Sequence, residues 1–74
     1  MERYENRDGR SPITGFEEGD DFIRIEFRNN TVYLYNEESA GPQNISKMKE
    51  LAHEGRGLAA FINANKPGYV IREK

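Results

Sequence analysis

Cysteine is absent from this 74-residue chain, so no disulfide can staple it and nothing in its composition points to an oxidising compartment. One histidine, His53, stands alone, and without cysteine or a second histidine no metal-ligand spacing exists. There is neither a charged-then-apolar leader nor an apolar run near the roughly 20 residues of a membrane span. The expectation is a cytoplasmic protein without membrane contact. Blocks of like charge are also missing: 11 basic and 13 acidic residues are interspersed, for a net charge of −2. That argues against an indiscriminate binder of nucleic-acid backbones, which needs a clustered positive field, and leaves room for a local basic patch. A domain of this length buries only roughly 60–65% of the surface its unfolded chain exposes. Stability must then come from packing, a ligand or self-association.

The most patterned stretch is Asp21–Tyr35. A two-residue turn at Asn29-Asn30 would pair Phe27 with Val32, Ile25 with Leu34 and Ile23 with Asn36, leaving Arg28, Glu26 and Arg24 against Thr31, Tyr33 and Tyr35 on the other side. Ser11–Glu17 reads as a preceding strand, with Pro12 near its start where a missing N–H is tolerated at an edge. A three-residue loop, Glu18-Gly19-Asp20, then sets Phe16 against Phe22 and Ile13 against Ile25. The expected core face is Ile13, Ile23, Ile25, Phe27, Val32 and Leu34; the expected outer face is aromatic, with Phe16, Phe22, Tyr33 and Tyr35 bordered by Arg24 and Arg28.

After Tyr35 the period changes. Ile45, Met48, Leu51 and Ala52 recur at helical spacing, Asn44 or Ser39 is placed to cap the start, and Gly55 to stop the helix. A second helix follows Gly57 with Leu58, Phe61 and Ile62 on one side, ended by Pro67. Gly68–Arg72 alternates weakly, as a short fourth strand or a segment lying against the core. The expectation is an α+β fold: a three-stranded antiparallel meander with two C-terminal helices packed on one face. Residues 1–10, mostly charged, read as a flexible lead-in, and residues 11–74 as a single small α+β domain.

The order of these features resembles the KTSC domain, a small domain found at the C-terminus of some lysyl-tRNA synthetases. The resemblance runs from Ser11 to about Ile62: Ser-x-Ile into a first strand, an apolar strand ending in Phe27, Val32-Tyr33-Leu34-Tyr35, Pro42 opening a helix, Ala52 near its end, and Gly55-Arg56-Gly57-Leu58 into an apolar segment. Where the family tends to place Ser before the glycine and Asn four residues after it, this chain has His53-Glu54 and Ala59, and Ala52 to Gly55 is one residue short. The resemblance implies a strand meander followed by two helices and little about activity; the synthetase context points toward nucleic acid or translation.

No convergent catalytic set emerges. Ser46 and His53 lie two helical turns apart, roughly 10 Å by helix rise, too far to act as nucleophile and base. Glu17, Glu18, Asp20 and Asp21 crowd Gly19 without the alternating ligand positions of a calcium loop. Gly55-Arg56-Gly57 lacks the Lys-Ser/Thr and third glycine of a phosphate-binding loop, and Leu58–Asn65 lacks the basic residues of a groove-reading helix. The expectation is a non-catalytic interaction module without a cofactor, meeting a macromolecular partner, protein or RNA, through the aromatic face or the helix corner. Arg24, Arg28, Tyr33, Tyr35 and Arg56 are the candidate contacts. The alternatives are a homodimer joined through the aromatic face and a weak binder of single-stranded nucleic acid, with monomer and homodimer both open.

Overall fold

A single asparagine sets the register of the central hairpin. In the computed structural model, which describes residues 1–7 and 9–73, the Phe27 N–H donates to Thr31 O at 2.8 Å and Asn30 N–H to Phe27 O at 2.9 Å. Asn30 is left-handed at φ 68°, whereas Asn29 is not. A two-residue hairpin turn of the expected kind needs positive φ at both positions; a three-residue connection needs it only at its last. Asparagine tolerates that region, and Asn29 Oδ1 also accepts the Thr31 N–H at 3.1 Å.

The extra residue moves the register by one. Ile23 now faces Tyr35, Ile25 faces Tyr33, Arg24 faces Leu34 and Glu26 faces Val32. Since side chains alternate across a strand, the whole of this strand turns over. The expected division of faces is therefore corrected: Tyr33 and Tyr35 join Ile23 and Ile25 on the core side, and Val32 and Leu34 pass to the other. Tyrosine rings bury more area than valine and leucine, and the slip places that larger surface inside.

The strands and helices are β1 (Glu2–Arg3), β2 (Ile13–Glu18), β3 (Phe22–Phe27), β4 (Val32–Asn36), α1 (Glu37–Ala40), α2 (Pro42–Glu54), α3 (Leu58–Asn65) and β5 (Ile71–Glu73). The strands form one antiparallel sheet in chain order. The α+β class holds, but the sheet has five strands among the described residues, not three, and a single-turn helix precedes the two expected ones. No described helix is long and apolar enough to cross a membrane.

A bulge between Ile13 and Gly15 corrects the other hairpin. Phe16 pairs with Ile25 and Ile13 with Phe27, so both Ile13 and Phe16 reach the core although they are three residues apart. The core is Tyr4, Ile13, Phe16, Ile23, Ile25, Tyr35, Ile45, Met48, Ala52 and Leu58. Ile45, Met48 and Ala52 are the expected α2 stripe. Gly55 stops α2 in the left-handed conformation at φ 78°. Neither Ser39 nor Asn44 caps α2: Ser39 forms a reciprocal capping box with Asn36 at α1, and Asn44 Nδ2 donates to Ala40 O at 2.8 Å. Pro42 opens α2 instead, where its missing N–H costs nothing.

Of the expected lead-in, all but Asp8 is described, as is all of the expected domain except Lys74. It is built into the fold: β1 pairs with β2, and the Arg7 N–H donates to Gly55 O at 2.7 Å. Tyr4 is 3% exposed, and its hydroxyl accepts the Leu58 N–H at the start of α3, at 3.4 Å. One buried ring offsets the ordering of a segment whose charges stay in water.

Two outcomes check this arrangement. In denaturant melts, Tyr35→Ala should cost about 3–5 kcal/mol and Leu34→Ala only about 1–2 kcal/mol; the reverse order would restore the two-residue turn. Tyr4→Ala should also cost about 3–5 kcal/mol, whereas Tyr4→Phe should cost about 1 kcal/mol, one hydrogen bond. A Tyr4→Ala protein as stable as the parent would show that residues 1–7 are not needed.

Candidate functional site

Packing leaves one large concavity on the core side, where α3 diverges from β4. It is lined by Phe27, Tyr33 and Tyr35, by Ile62 and Asn63 of α3, by Tyr69 and Arg72, and by Arg28, Asn29 and Lys66. Its volume is about 780 Å³, within the roughly 300–1,000 Å³ of small-molecule sites.

The rings form one connected cluster. Tyr33 meets Phe27 edge to face at 5.4 Å and Tyr69 edge to face at 4.8 Å, and it lies parallel to Tyr35 at 6.3 Å. Tyr69 also touches Tyr35 at 6.4 Å. The three edge-to-face contacts set positive ring edges against negative ring faces. β5 runs beside β4 with Arg72 opposite Tyr33, and its guanidinium lies 6.0 Å from the centre of that ring, a cation–π distance. Tyr69 is 50% exposed and presents ring surface to the cleft.

Burial pushes the Tyr35 hydroxyl up to about 12, with smaller contributions from neighbouring Tyr33 and Tyr69. A phenolate there would lose its hydration and face two further phenols.

Of the residues expected to form a site, Arg28, Tyr33 and Tyr35 come together at this cleft. Arg24 does not. It projects from the opposite side of the sheet, with Glu17 at 2.8 Å and Glu73 at 2.5 Å; the hydrogen bond to Glu73 is the largest factor raising its pKa. That opposite face is the open one, with Phe22, Arg24, Glu26, Val32, Leu34, Ile71 and Glu73. It is not the aromatic surface expected from the sequence, because Tyr33, Tyr35 and Phe16 lie on the helix side.

Arg56 is exposed at the α2–α3 corner, outside the cleft. The corner is less of an anion cradle than its glycines suggest, since Tyr4 takes the Leu58 N–H. His53 is exposed in the last turn of α2, packs edge-on to Phe16 at 5.2 Å and contacts Glu18. Lys49 Nζ donates to the carbonyls of Gly19 and Asp20 at 2.5 and 3.0 Å, tying the acidic turn to α2. Among the described residues, no three His, Asp or Glu side chains gather where they would hold a metal ion.

Lys66, Tyr69 and Arg72 were missed as site residues. The signal lay in the weak alternation of Gly68–Arg72: once that segment is a strand beside β4, period two places Arg72 on the tyrosine side. No protein-family model matches the chain, and no curated protein or solved structure matches it significantly.

The Tyr35 shift has a testable sign. The ring ionises near 10 in the unfolded chain and about 12 in the fold, so its contribution is whole below pH 10 and lost as pH rises toward 12. Unfolding free energy should fall by about 2–3 kcal/mol across that window from this group. Tyr35→Phe should remove that part of the alkaline slope in melts at graded pH. An unchanged slope would place Tyr35 in contact with water.

Proposed function

We propose that this protein is a non-catalytic interaction module that holds part of a macromolecular partner in the cleft between β4, β5 and α3. The carrying observation is a concavity walled by aromatic rings and cations, with Tyr69 half exposed at its side. Tyrosine and arginine contribute disproportionately to binding, because each combines a large apolar surface with directional polar groups. The cleft borders the core through Tyr35, Phe27, Tyr33 and Ile62, and Ile25, Met48 and Leu58 do not line it, so a partner can occupy it without displacing them.

KTSC membership is part of the same reading. Ser11-Pro12-Ile13 leads into β2, Val32-Tyr33-Leu34-Tyr35 lies in β4, and Pro42 opens α2, in the order that resemblance calls for. A cytoplasmic setting also belongs to it.

The test places a photoactivatable cross-linking residue at Asn63, which is exposed and lines the cleft, or at exposed Glu50 as a control. A distinct species should cross-link from Asn63 and not from Glu50. Combining Arg28→Glu with Lys66→Glu should reduce its yield at least roughly tenfold, the loss of about 1.4 kcal/mol of binding, with an unchanged unfolding midpoint. Equal yields from both positions, or no effect of the double variant, would overturn the proposal.

A further inference from the structure

We infer that the occupant of this cleft is single-stranded nucleic acid, two unpaired nucleotides with bases against Tyr33 and Tyr69 and the three phosphates that flank them on the surrounding cations. This rests on the cleft being the binding site proposed above and names what it binds.

The first support is the placement of charge. Arg28 stands at the β3–β4 turn, Lys66 just past α3 and Arg72 on β5, and no acidic residue lines the cleft with them. Elsewhere Arg24 pairs with Glu17 and Glu73, Arg7 with Glu5 and Lys47 with Glu50, while exposed Arg3, Arg10 and Arg56 stand apart from one another. The cleft is where three cations line one concavity with no carboxylate among its lining. Among the described residues, none of the three cleft cations has a carboxylate within ion-pair distance. Cations gathered from three elements and kept from carboxylates complement an occupant carrying more than one negative charge. Local charge thus supplies what the net charge of −2 denies the molecule as a whole.

The second support is the shape of the apolar part. Beside Ile62, Pro12 and Pro67 it offers the half-exposed ring of Tyr69 and the partly buried rings of Phe27 and Tyr33, flat groups that accept any base because every base has a π face. Arg72, already over Tyr33, keeps its planar N–H groups available to a phosphate while its flat face rests on the ring. Asn63 adds an amide able to donate to and accept from a base edge, and Asn29, whose Oδ1 accepts the Thr31 N–H, adds its Nδ2 donors. A duplex is excluded chemically, since its bases are already stacked on one another. An acidic peptide would satisfy the cations but leave most ring faces without flat partners.

The experiment is an NMR titration of the whole chain with octamers of uridine and of thymidine at low salt. Controls are the mononucleotide, the matching duplex and an acidic peptide containing no aromatic residue. Saturable shifts should centre on Tyr33, Lys66, Tyr69 and Arg72 with one or both octamers. Affinity should fall roughly 20-fold for a roughly fourfold rise in salt, as expected for about three phosphate contacts on a single strand. Tyr69→Ala removes a half-exposed ring and should weaken binding roughly 5- to 150-fold, the loss of one stacked base, without changing the spectrum of the rest of the fold.

Several results would overturn the inference: no cleft shifts with either octamer, binding insensitive to Tyr69→Ala, or a mononucleotide, duplex or peptide binding as tightly as the octamers. If the octamers fail while a protein still cross-links from Asn63, the nucleic-acid assignment is wrong and the interaction cleft stands. If both fail, the cleft itself is wrong.

Discussion

Everything in this molecule depends on the parity of one turn. With three residues between Phe27 and Thr31, β4 presents Tyr33 and Tyr35 to the helices; with two, it would present Val32 and Leu34. The core, the aromatic cleft and the pairing of Arg24 on the opposite face all follow from that count. A Glu17–Arg24–Glu73 arrangement spanning β2, β3 and β5 is possible only because Arg24 points away from the tyrosines. Charges and rings are thereby sorted to opposite sides of the sheet.

The cleft is a by-product of how the core is closed. α2 covers the middle of the sheet with Ile45, Met48 and Ala52, and the left-handed Gly55 and Gly57 turn the chain sharply into α3. α3 is fixed at its start, where Leu58 is buried and Tyr4 accepts its N–H. Toward its end only Phe61 and Ile62 are partly buried. The cleft lies beside Ile62 and Asn63, and the chain returns along it through Pro67 and Tyr69. The tightly held end of α3 lies by the N-terminal segment, and the open end by the C-terminal strand.

The α+β class, the β3–β4 pairing, the α2 stripe and the Gly55 stop were legible because each rests on a local signal: period two, period 3.6 or a left-handed glycine. Register was not legible. Two adjacent asparagines suit both a two-residue and a three-residue connection, and alternation continues unbroken through either. The bulge at Gly15 was hidden as well, since an inserted residue looks like ordinary sequence until its partner strand is known. Tyr4 was lost among charges because its partner, Leu58, lies 54 residues away. Arg28, Tyr33 and Tyr35 were expected on the outer face of the sheet and instead line the cleft on the helix side, while Arg24 stays on the outer face.

The two outermost strands have a bearing on how this sheet behaves in company. β1 and β5 are two and three residues long, and Glu2, Arg3, Arg72 and Glu73 make up all of them except Ile71. Unpaired strand edges are the usual template on which one sheet recruits another, and short, charged edges are a poor one. Copies meeting edge to edge would find few ladder groups and a charge at nearly every position, so neither flank of this small sheet offers much of a template for edge-to-edge growth.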